Sequence, residues 1–220
     1  MDAPYRSCDV CGAENPRSIL ESPALDGPLV ECRNCGLKYV GRRRSALTFD
    51  GHSGAADDTV ERLRAANVGF QHLRLEEEHR LARLNARWRL DLIRRIRPSG
   101  RLIEVGAARG DFLAEARESF DVFAVEPNPE LAASAKTVAP THCGVVETAP
   151  QAAPWTDFDV AVSFHVIEHV DSPSAFVAAI AARLKPGGLL VLETPDIDSS
   201  AFRVMKGRWR QFIPEHYYFF

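Results

Sequence analysis

The second half of this chain alternates short apolar runs with stretches of helical period. The runs Arg101–Val105, Val122–Val125, His142–Val145, Val160–Phe164 and Gly188–Glu193 read as strands. Phe112–Ser119, Pro129–Thr137, Ser174–Leu184 and Ser199–Lys206 read as helices between and after them. Strands that alternate with helices in this way predict an α/β fold, a doubly wound and mostly parallel sheet with ligand sites at the carboxyl ends of its strands. Upstream, from about residue 60 to residue 97, the pattern is helical: Leu81, Leu84, Trp88, Leu92 and Ile96 form one apolar stripe, with Arg80, Arg83, Arg87, Arg94 and Arg95 interspersed. Pro98-Ser99-Gly100 stops that helix. Residues 5–41 are different in kind. Pro16, Pro23, Gly27 and Pro28 leave room only for brief strands such as Leu29–Glu31 and Leu37–Val40. The expected organisation is a small module over 1–41, a polar linker over 42–59 and an α/β domain over 60–220.

Composition narrows the class. The chain has 220 residues, 45% apolar and 26% charged, which is ordinary for a folded soluble protein and excludes a disordered or coiled-coil architecture. No apolar run approaches the roughly 20 residues that cross a bilayer, and Met1–Arg6 lacks the apolar core of a signal peptide. A soluble cytoplasmic protein with no membrane partner is the expectation. Charge is unevenly spread: the net values of residues 1–59, 60–100 and 101–220 are −2, +5 and −6, within a total of −3. An acidic body repels phosphate backbones, so nucleic acid is not the first partner to expect.

The densest chemical signal is Glu104-Val105-Gly106-Ala107-Ala108-Arg109-Gly110-Asp111, a buried strand entering a glycine-bearing turn that opens a helix. A dinucleotide fingerprint starting at Gly106 requires glycine at position 108, where this chain has Ala108. Asp111 at the helix start opposes a pyrophosphate seeking the same place. A ligand with a positive amino group and no phosphate, such as S-adenosylmethionine, fits better. The next strand ends in Val125-Glu126-Pro127-Asn128, with Glu126 at the spacing at which an acid reaches a ribose. Its two oxygens can accept from both ribose hydroxyls.

These residues resemble the class I S-adenosylmethionine-dependent methyltransferases, which carry an acidic-x-Gly-x-Gly-x-Gly turn and an acid at the end of the next strand. Gly144-Val145-Val146-Glu147, Asp157-Phe158-Asp159-Val160, Ile167-Glu168-His169-Val170, Leu184-Lys185-Pro186-Gly187-Gly188 and Thr194-Pro195 follow in the order usual there. The resemblance covers roughly residues 80–220, with Ala108 departing from the central glycine. It implies a Rossmann-like domain in which Glu104, Gly106 and Gly110 surround the methionine part of the cofactor and Glu126 holds the ribose. It also implies that Val146 and Glu147 edge the adenine, and that Phe164 and His165 flank the sulfonium. Members usually continue with another helix and an antiparallel strand pair. The sequence given has neither after Phe220, so the strand near Leu189–Leu192 is expected to stand at a sheet edge.

The same resemblance bears on catalysis. Methyl transfer asks the protein to align an acceptor and, for a hydroxyl or acidic carbon, to remove a proton, a task that suits histidine. The chain is similar to a methyltransferase subset with an N-terminal zinc module, including deoxysugar C-methyltransferases, in which a Glu-His pair does acid–base work. Glu215 and His216 match that pair, and His169 matches a further active-site histidine, although Ile213 stands where that subset has tyrosine. In some quinone-pathway O-methyltransferases a Glu-x-x-Glu-His trio can hold a divalent cation. This chain has His165-x-x-Glu168-His169, a set suited to a softer metal. The preferred reading there is that Glu168 caps a helix and His169 packs under a substrate lid. The inverted zinc-peptidase motif H-x-x-E-H belongs on a helix, and here it directly follows a strand.

Cys8-x-x-Cys11 and Cys32-x-x-Cys35 carry zinc-ribbon spacing. Gly12 and Gly36 follow the pairs, which suits knuckles that turn four thiolates onto one tetrahedral ion. A structural Zn2+ without an open position is expected, supplying folding energy that so short a segment cannot draw from its core. Cys143 is expected to be buried in a strand. The function these readings favour is methyl transfer from S-adenosylmethionine to a small-molecule acceptor, a sugar or hydroxylated ring, with a histidine as general base. The alternatives are an RNA methyltransferase that uses the zinc ribbon and arginine-rich helix, and a cofactor-binding module without catalysis.

Overall fold

The computed structural model describes residues 5–43 and 75–220. The expected linker beyond Arg43, and the expected helical segment as far as residue 74, lie outside the described residues. In chain order the elements are β1 (Arg17–Leu20), β2 (Leu29–Glu31), β3 (Lys38–Val40), α1 (Leu75–Arg94), β4 (Gly100–Val105), α2 (Asp111–Ala116), β5 (Phe120–Glu126), α3 (Pro129–Ala135), β6 (Thr141–Cys143), β7 (Phe158–Phe164), α4 (Pro173–Ala181), β8 (Leu184–Glu193), α5 (Ser200–Met205) and β9 (Tyr218–Phe219). They form two compact units, one of Asp50–Ser163 with Ile180–Val191 and one of Met1–Phe49 with Phe164–Ala179 and Leu192–Phe220.

The first unit is built on the expected Rossmann-like sheet, in the order β6-β5-β4-β7-β8. β4 runs parallel to β5, from Gly100 opposite Phe120 to Val105 opposite Val125, and parallel to β7, from Leu102 opposite Val160 to Glu104 opposite Val162. Strands covered on both faces carry continuous apolar runs, and Leu102, Ile103, Ala124, Val125, Val160, Ala161 and Val162 are accordingly all buried. With β5 and β6 on one side of β4 and β7 and β8 on the other, the strand order reverses at β4. That is where open α/β sheets place their ligands. Among the described residues β8 is the last strand on its side of the sheet.

One expectation fails in this unit, and the first helix packs by its narrower apolar face. α1 does not bury the stripe Leu81–Leu84–Trp88–Leu92–Ile96: Trp88 is 63% and Ile96 68% exposed. The buried face is the opposite one, Ala86, Leu90 and Ile93, and Arg87 pairs with Glu115 of α2 at 2.8 Å. Small Ala86 allows close approach on that side, and the arginines beside it find acidic and hydroxyl partners on and just after α2 (Arg94 on Ser119). Cys143 is exposed, not buried. It ends β6, a three-residue outer strand in which no residue is fully buried.

The second unit holds an antiparallel sheet in the order β1-β2-β3-β9. β2 pairs with β3, Leu29 opposite Val40, and β3 pairs with β9, Lys38 opposite Phe219 and Tyr39 opposite Tyr218. The cysteine-bearing segment therefore shares a sheet with the last residues described. One small core joins Leu29 and Val40 to Trp209, Phe212 and Phe219, and another joins Cys8, Cys32 and Tyr39 to Tyr217 and Tyr218.

Candidate functional site

The turn after β4 is held by its neighbour strand. The backbone N–H groups of Gly106 and Ala107 donate to the Val125 carbonyl at 2.8 and 3.2 Å, and Gly110 N–H donates to the Ala107 carbonyl at 2.8 Å. Gly106 and Gly110 have φ of +83° and +86°, angles at which glycine is the residue without steric cost. The backbone N–H of Ala108 donates to Glu126 Oε2 at 2.9 Å, and that of Asn128 donates to Glu126 Oε1 at 2.9 Å. Glu126 is thus fixed by two backbone donors, one on each oxygen, and each oxygen keeps a further lone pair. Burial raises its pKa while these two donors act against the rise. Glu104 is 4% exposed, and its Oε2 is buried without a hydrogen-bond partner among the described residues. Burial, with Asp111 and Glu126 adding to it, pushes the Glu104 pKa well up, against the opposing charge of Arg89. A cationic amino group beside it is what would stabilise its charged form.

Ala108 carries the strain of this turn. Its φ is +46°, in the left-handed region that costs an L-residue about 1–2 kcal/mol. Ala108→Gly removes that cost, offset by the greater freedom glycine gives the unfolded chain, about 0.4–1 kcal/mol. We expect Ala108→Gly to stabilise the protein by roughly 0.5–1 kcal/mol, read as a higher thermal midpoint. A lower midpoint would show that the turn does not strain this residue.

The remaining residues expected around the cofactor are scattered in character. Val146 is buried at 1% and Glu147 is exposed, both in a short 3-10 turn after β6. Gly144 N–H donates to the Glu126 carbonyl at 3.0 Å, which ties that turn to the end of β5. Phe164 ends β7, half-buried. His165 is exposed at φ +57°, and its Nε2 lies 3.0 Å from Glu193 Oε1.

In the other unit Glu168, His169 and His216 come together, with one possible ligand atom of each lying within 4.8 Å of the others. The His169 and His216 rings meet edge to face at 4.6 Å. His169 Nδ1 lies 2.9 Å from the Glu215 carbonyl oxygen, and the charge of Glu215 also acts on the ring. Glu168 is 1% exposed. Its backbone carbonyl accepts from Tyr217 N–H at 2.8 Å, and its Oε2 accepts from Thr194 Oγ1 at 3.2 Å. Burial would raise the Glu168 pKa, but His165, His169 and His216 hold it below the usual carboxylate range. Burial lowers the pKa of His169, and burial with His169 beside it pushes His216 down to about 3. Glu168 does not cap a helix here. It anchors the segment that carries His216, a meeting that residues 48 positions apart in sequence give no local sign of.

Cys8, Cys11, Cys32 and Cys35 have all four Sγ atoms within 4.8 Å of one another, with Cys8–Cys35 and Cys11–Cys32 each at 3.5 Å. Four sulfurs about 2.3 Å from a tetrahedral zinc are about 3.8 Å apart, so the cluster has the size of such a site. The knuckles form as expected: Gly12 N–H donates to the Cys8 carbonyl at 2.8 Å and Gly36 N–H to that of Cys32 at 3.0 Å. Burial pushes the Cys8 thiol up to about 12, while the Asn34 side chain leads the effects that bring exposed Cys11 down to about 6. Four thiolates at this spacing repel one another unless a cation sits among them.

A parallel sheet with a glycine turn and a backbone-fixed carboxylate at its reversal point defines a nucleoside-binding α/β class. Comparison with known proteins is more specific. Residues 77–220 match the family described as methyltransferase domain. The ubiquinone biosynthesis O-methyltransferase of Rhodopseudomonas palustris is 36% identical over 100 residues, 43% of this chain and 39% of that protein. The one from Paramagnetospirillum magneticum is 38% identical over 97 residues, 41% of this chain and 38% of that protein. The matches thus span about two fifths of the length of these curated relatives. Among solved structures, an S-adenosylmethionine-dependent methyltransferase of Thermotoga maritima superposes with a TM-score of 0.50 and 23% identity, covering 74% of this chain and 70% of that one. Its likeness shows the fold. The chain belongs to the methyltransferase-domain family, and its fold is that of the S-adenosylmethionine-dependent methyltransferases. Among the described residues no helix is long and apolar enough to cross a membrane.

Proposed function

We propose that this protein transfers the methyl group of S-adenosylmethionine to an oxygen of a small hydroxylated acceptor, a sugar or hydroxylated ring. The observation that carries the reading is Glu126. Its carboxylate is fixed by backbone donors on both oxygens, and it follows the glycine turn at the point where the sheet order reverses. Glu104, buried and lacking a partner for Oε2, would receive the amino group of the cofactor. Gly106 and Gly110 would let the backbone lie against its methionine part, and Val146 and Glu147 would border the adenine. Phe164 and His165 would flank the sulfonium. When bound, S-adenosylmethionine supplies an electrophilic methyl carbon.

The chain's own contribution to chemistry is assigned to the Glu168–His169–His216 cluster, where the acceptor hydroxyl gives up its proton. Both rings are held neutral by burial, so each presents a ring lone pair at neutral pH. The kinship to O-methyltransferases of ubiquinone biosynthesis supports an oxygen acceptor. The four cysteines are assigned a structural Zn2+, consistent with their spacing and with a coordination sphere filled by protein. The acidic character of residues 101–220 favours a small acceptor over nucleic acid.

The test is transfer of a labelled methyl group from S-adenosylmethionine to a panel of hydroxylated rings and sugars. His216→Ala should leave cofactor affinity within about twofold and lower turnover by roughly 10²–10⁴. Full turnover in that variant would place proton removal elsewhere, and absence of cofactor binding in the parent protein would end the reading.

A further inference from the structure

We infer that α1 is the contact of a homodimer: the helices of two copies of this chain pair antiparallel across a two-fold axis, along the apolar face that each leaves exposed. The inference does not rest on the proposed function.

Helix α1 buries one apolar face within its own unit and exposes a second, larger one. Leu81, Leu84, Trp88 and Leu92 are 45%, 50%, 63% and 41% exposed. Steps of three and four residues place them along one side of the helix, so they form a continuous band. Single exposed apolar residues are ordinary on a protein surface, whereas a contiguous band marks a contact. Tryptophan is among the residues enriched at the energetic centres of interfaces, and Trp88 lies near the middle of this one.

The charges around the band show what covers it. Glu77 and Arg95, the latter directly following α1, stand eighteen positions apart. At 3.6 residues per turn that is about five whole turns, so both positions fall on the line of the band. From its N-terminal end the face therefore reads acid, four apolar residues, base. Such a pattern is complementary to its own reverse. With the two-fold axis level with Ala86, Glu77 of each copy comes level with Arg95 of the other, and Leu84 of each with Trp88 of the other. Leu81 and Leu92 come within one residue of each other's level, a rise of about 1.5 Å. On the same flank of the pair, Asp91 of each copy comes equally close to the level of Arg80 of the other, and both residues are exposed. Residue i meets j and j meets i, as an isologous contact requires.

The other arrangements fit less well. Parallel pairing sets each residue against itself, Glu77 on Glu77 and Arg95 on Arg95, and like charges across a contact repel. Antiparallel pairing also brings the negative end of each helix dipole to the positive end of the other. An anionic lipid surface would be repelled by the acid at one end of the band. In size, α1 has 20 residues and is about 30 Å long. One helix pair of that length falls at the low end of specific interfaces, so association in the micromolar range is expected.

The experiment is sedimentation of the full-length protein over a range of micromolar concentrations, which should show the mass of two copies giving way to one on dilution. Trp88→Glu should sediment as a single copy at every concentration. Leu84→Lys, also at an exposed position, repeats that test should the first variant fail to fold. Glu77→Arg and Arg95→Glu should each weaken association about tenfold or more. The two together should restore it to within about threefold, because positions about 27 Å apart along one helix can answer each other only across the axis. A single copy of the parent protein throughout the range, or a Trp88→Glu variant as dimeric as the parent, overturns the inference. So does a double variant no stronger than the single ones. A parent that stays single and binds anionic lipid vesicles gives the face to a membrane surface and overturns it as well. Methyl transfer enters none of these readouts.

Discussion

Replacing Glu126 by alanine is expected to weaken S-adenosylmethionine binding about 10²-fold, close to 2.7 kcal/mol. A hydrogen bond to a charged group contributes about 1.5–3 kcal/mol, and the substitution removes the acceptor for both ribose hydroxyls. It also leaves the backbone N–H groups of Ala108 and Asn128 without the oxygens that now receive them at 2.9 Å, so the turn itself loosens. The same two contacts make an unusual demand on the amide. In Glu126→Gln one oxygen becomes NH2 and faces a backbone N–H, donor against donor, whichever way the amide is turned. We therefore expect Glu126→Gln to lose nearly as much affinity as the alanine variant, although it removes no volume. Isothermal calorimetry with S-adenosylmethionine, alongside circular dichroism to confirm folding, measures both. Near-normal affinity in either would remove Glu126 from the cofactor site and, with it, the main support for the proposed function.

Some of this architecture could be read in the letters and some could not, for physical reasons. β4, β5 and β7 were legible because strands covered on both faces must be apolar without interruption, and Leu102-Ile103, Val122–Val125 and Val160–Val162 are. The paired C-x-x-C spacing was legible because two short knuckles can bring four sulfurs together only if each pair is local. On α1 the helical period was legible but the packed face was not, because period reports which side of a helix is apolar, not which side meets a neighbour. The larger apolar stripe faces outward while Ala86, Leu90 and Ile93 pack. β1 has the burial of a surface segment and β9 has two residues, so neither carries an alternation to detect. Cys143 sat in an apolar-looking run, but β6 is an outer strand, and position in the sheet decides exposure where composition does not. Above all, His216 meets Glu168 and His169 through tertiary contacts. The resemblance put His169 and His216 in one active site and Glu168 beside His169, but nothing in the letters showed Glu168 joining both histidines.

That cluster ties the cysteine segment to the proposed proton removal, and the second large effect follows from it. Cys35 is followed within three residues by β3, whose Tyr39 lies opposite Tyr218 of β9, and Val40 N–H donates to the Tyr217 carbonyl at 2.8 Å. His216 immediately precedes that pairing, and Tyr217 N–H donates to the Glu168 carbonyl at 2.8 Å. The cysteine segment, β3, β9, Glu168 and His216 thus form one hydrogen-bonded chain within a single compact unit. The proposed structural zinc would supply much of that unit's folding energy, since such sites contribute about 10–16 kcal/mol in small zinc domains. Cys32→Ser replaces a 2% exposed sulfur of the proposed site with a poor zinc donor, so the knuckles should open and β3 should release β9. Misplacement of a reacting group by about 1 Å can cost about 10² in rate, and here His216 loses its register altogether. We expect Cys32→Ser to lose the cysteine-bound zinc and at least about 10² in turnover. S-adenosylmethionine affinity should fall far less than turnover, because Glu104, Gly106, Gly110 and Glu126 belong to the other unit and only Phe164 and His165 of the proposed cofactor contacts belong to this one. Steady-state kinetics beside calorimetry separates the two quantities. Unchanged turnover in a zinc-free variant would mean that the histidines keep their places without the cysteine segment. Equal loss of turnover and cofactor binding would mean that the two units do not fold independently enough for zinc to act on one alone.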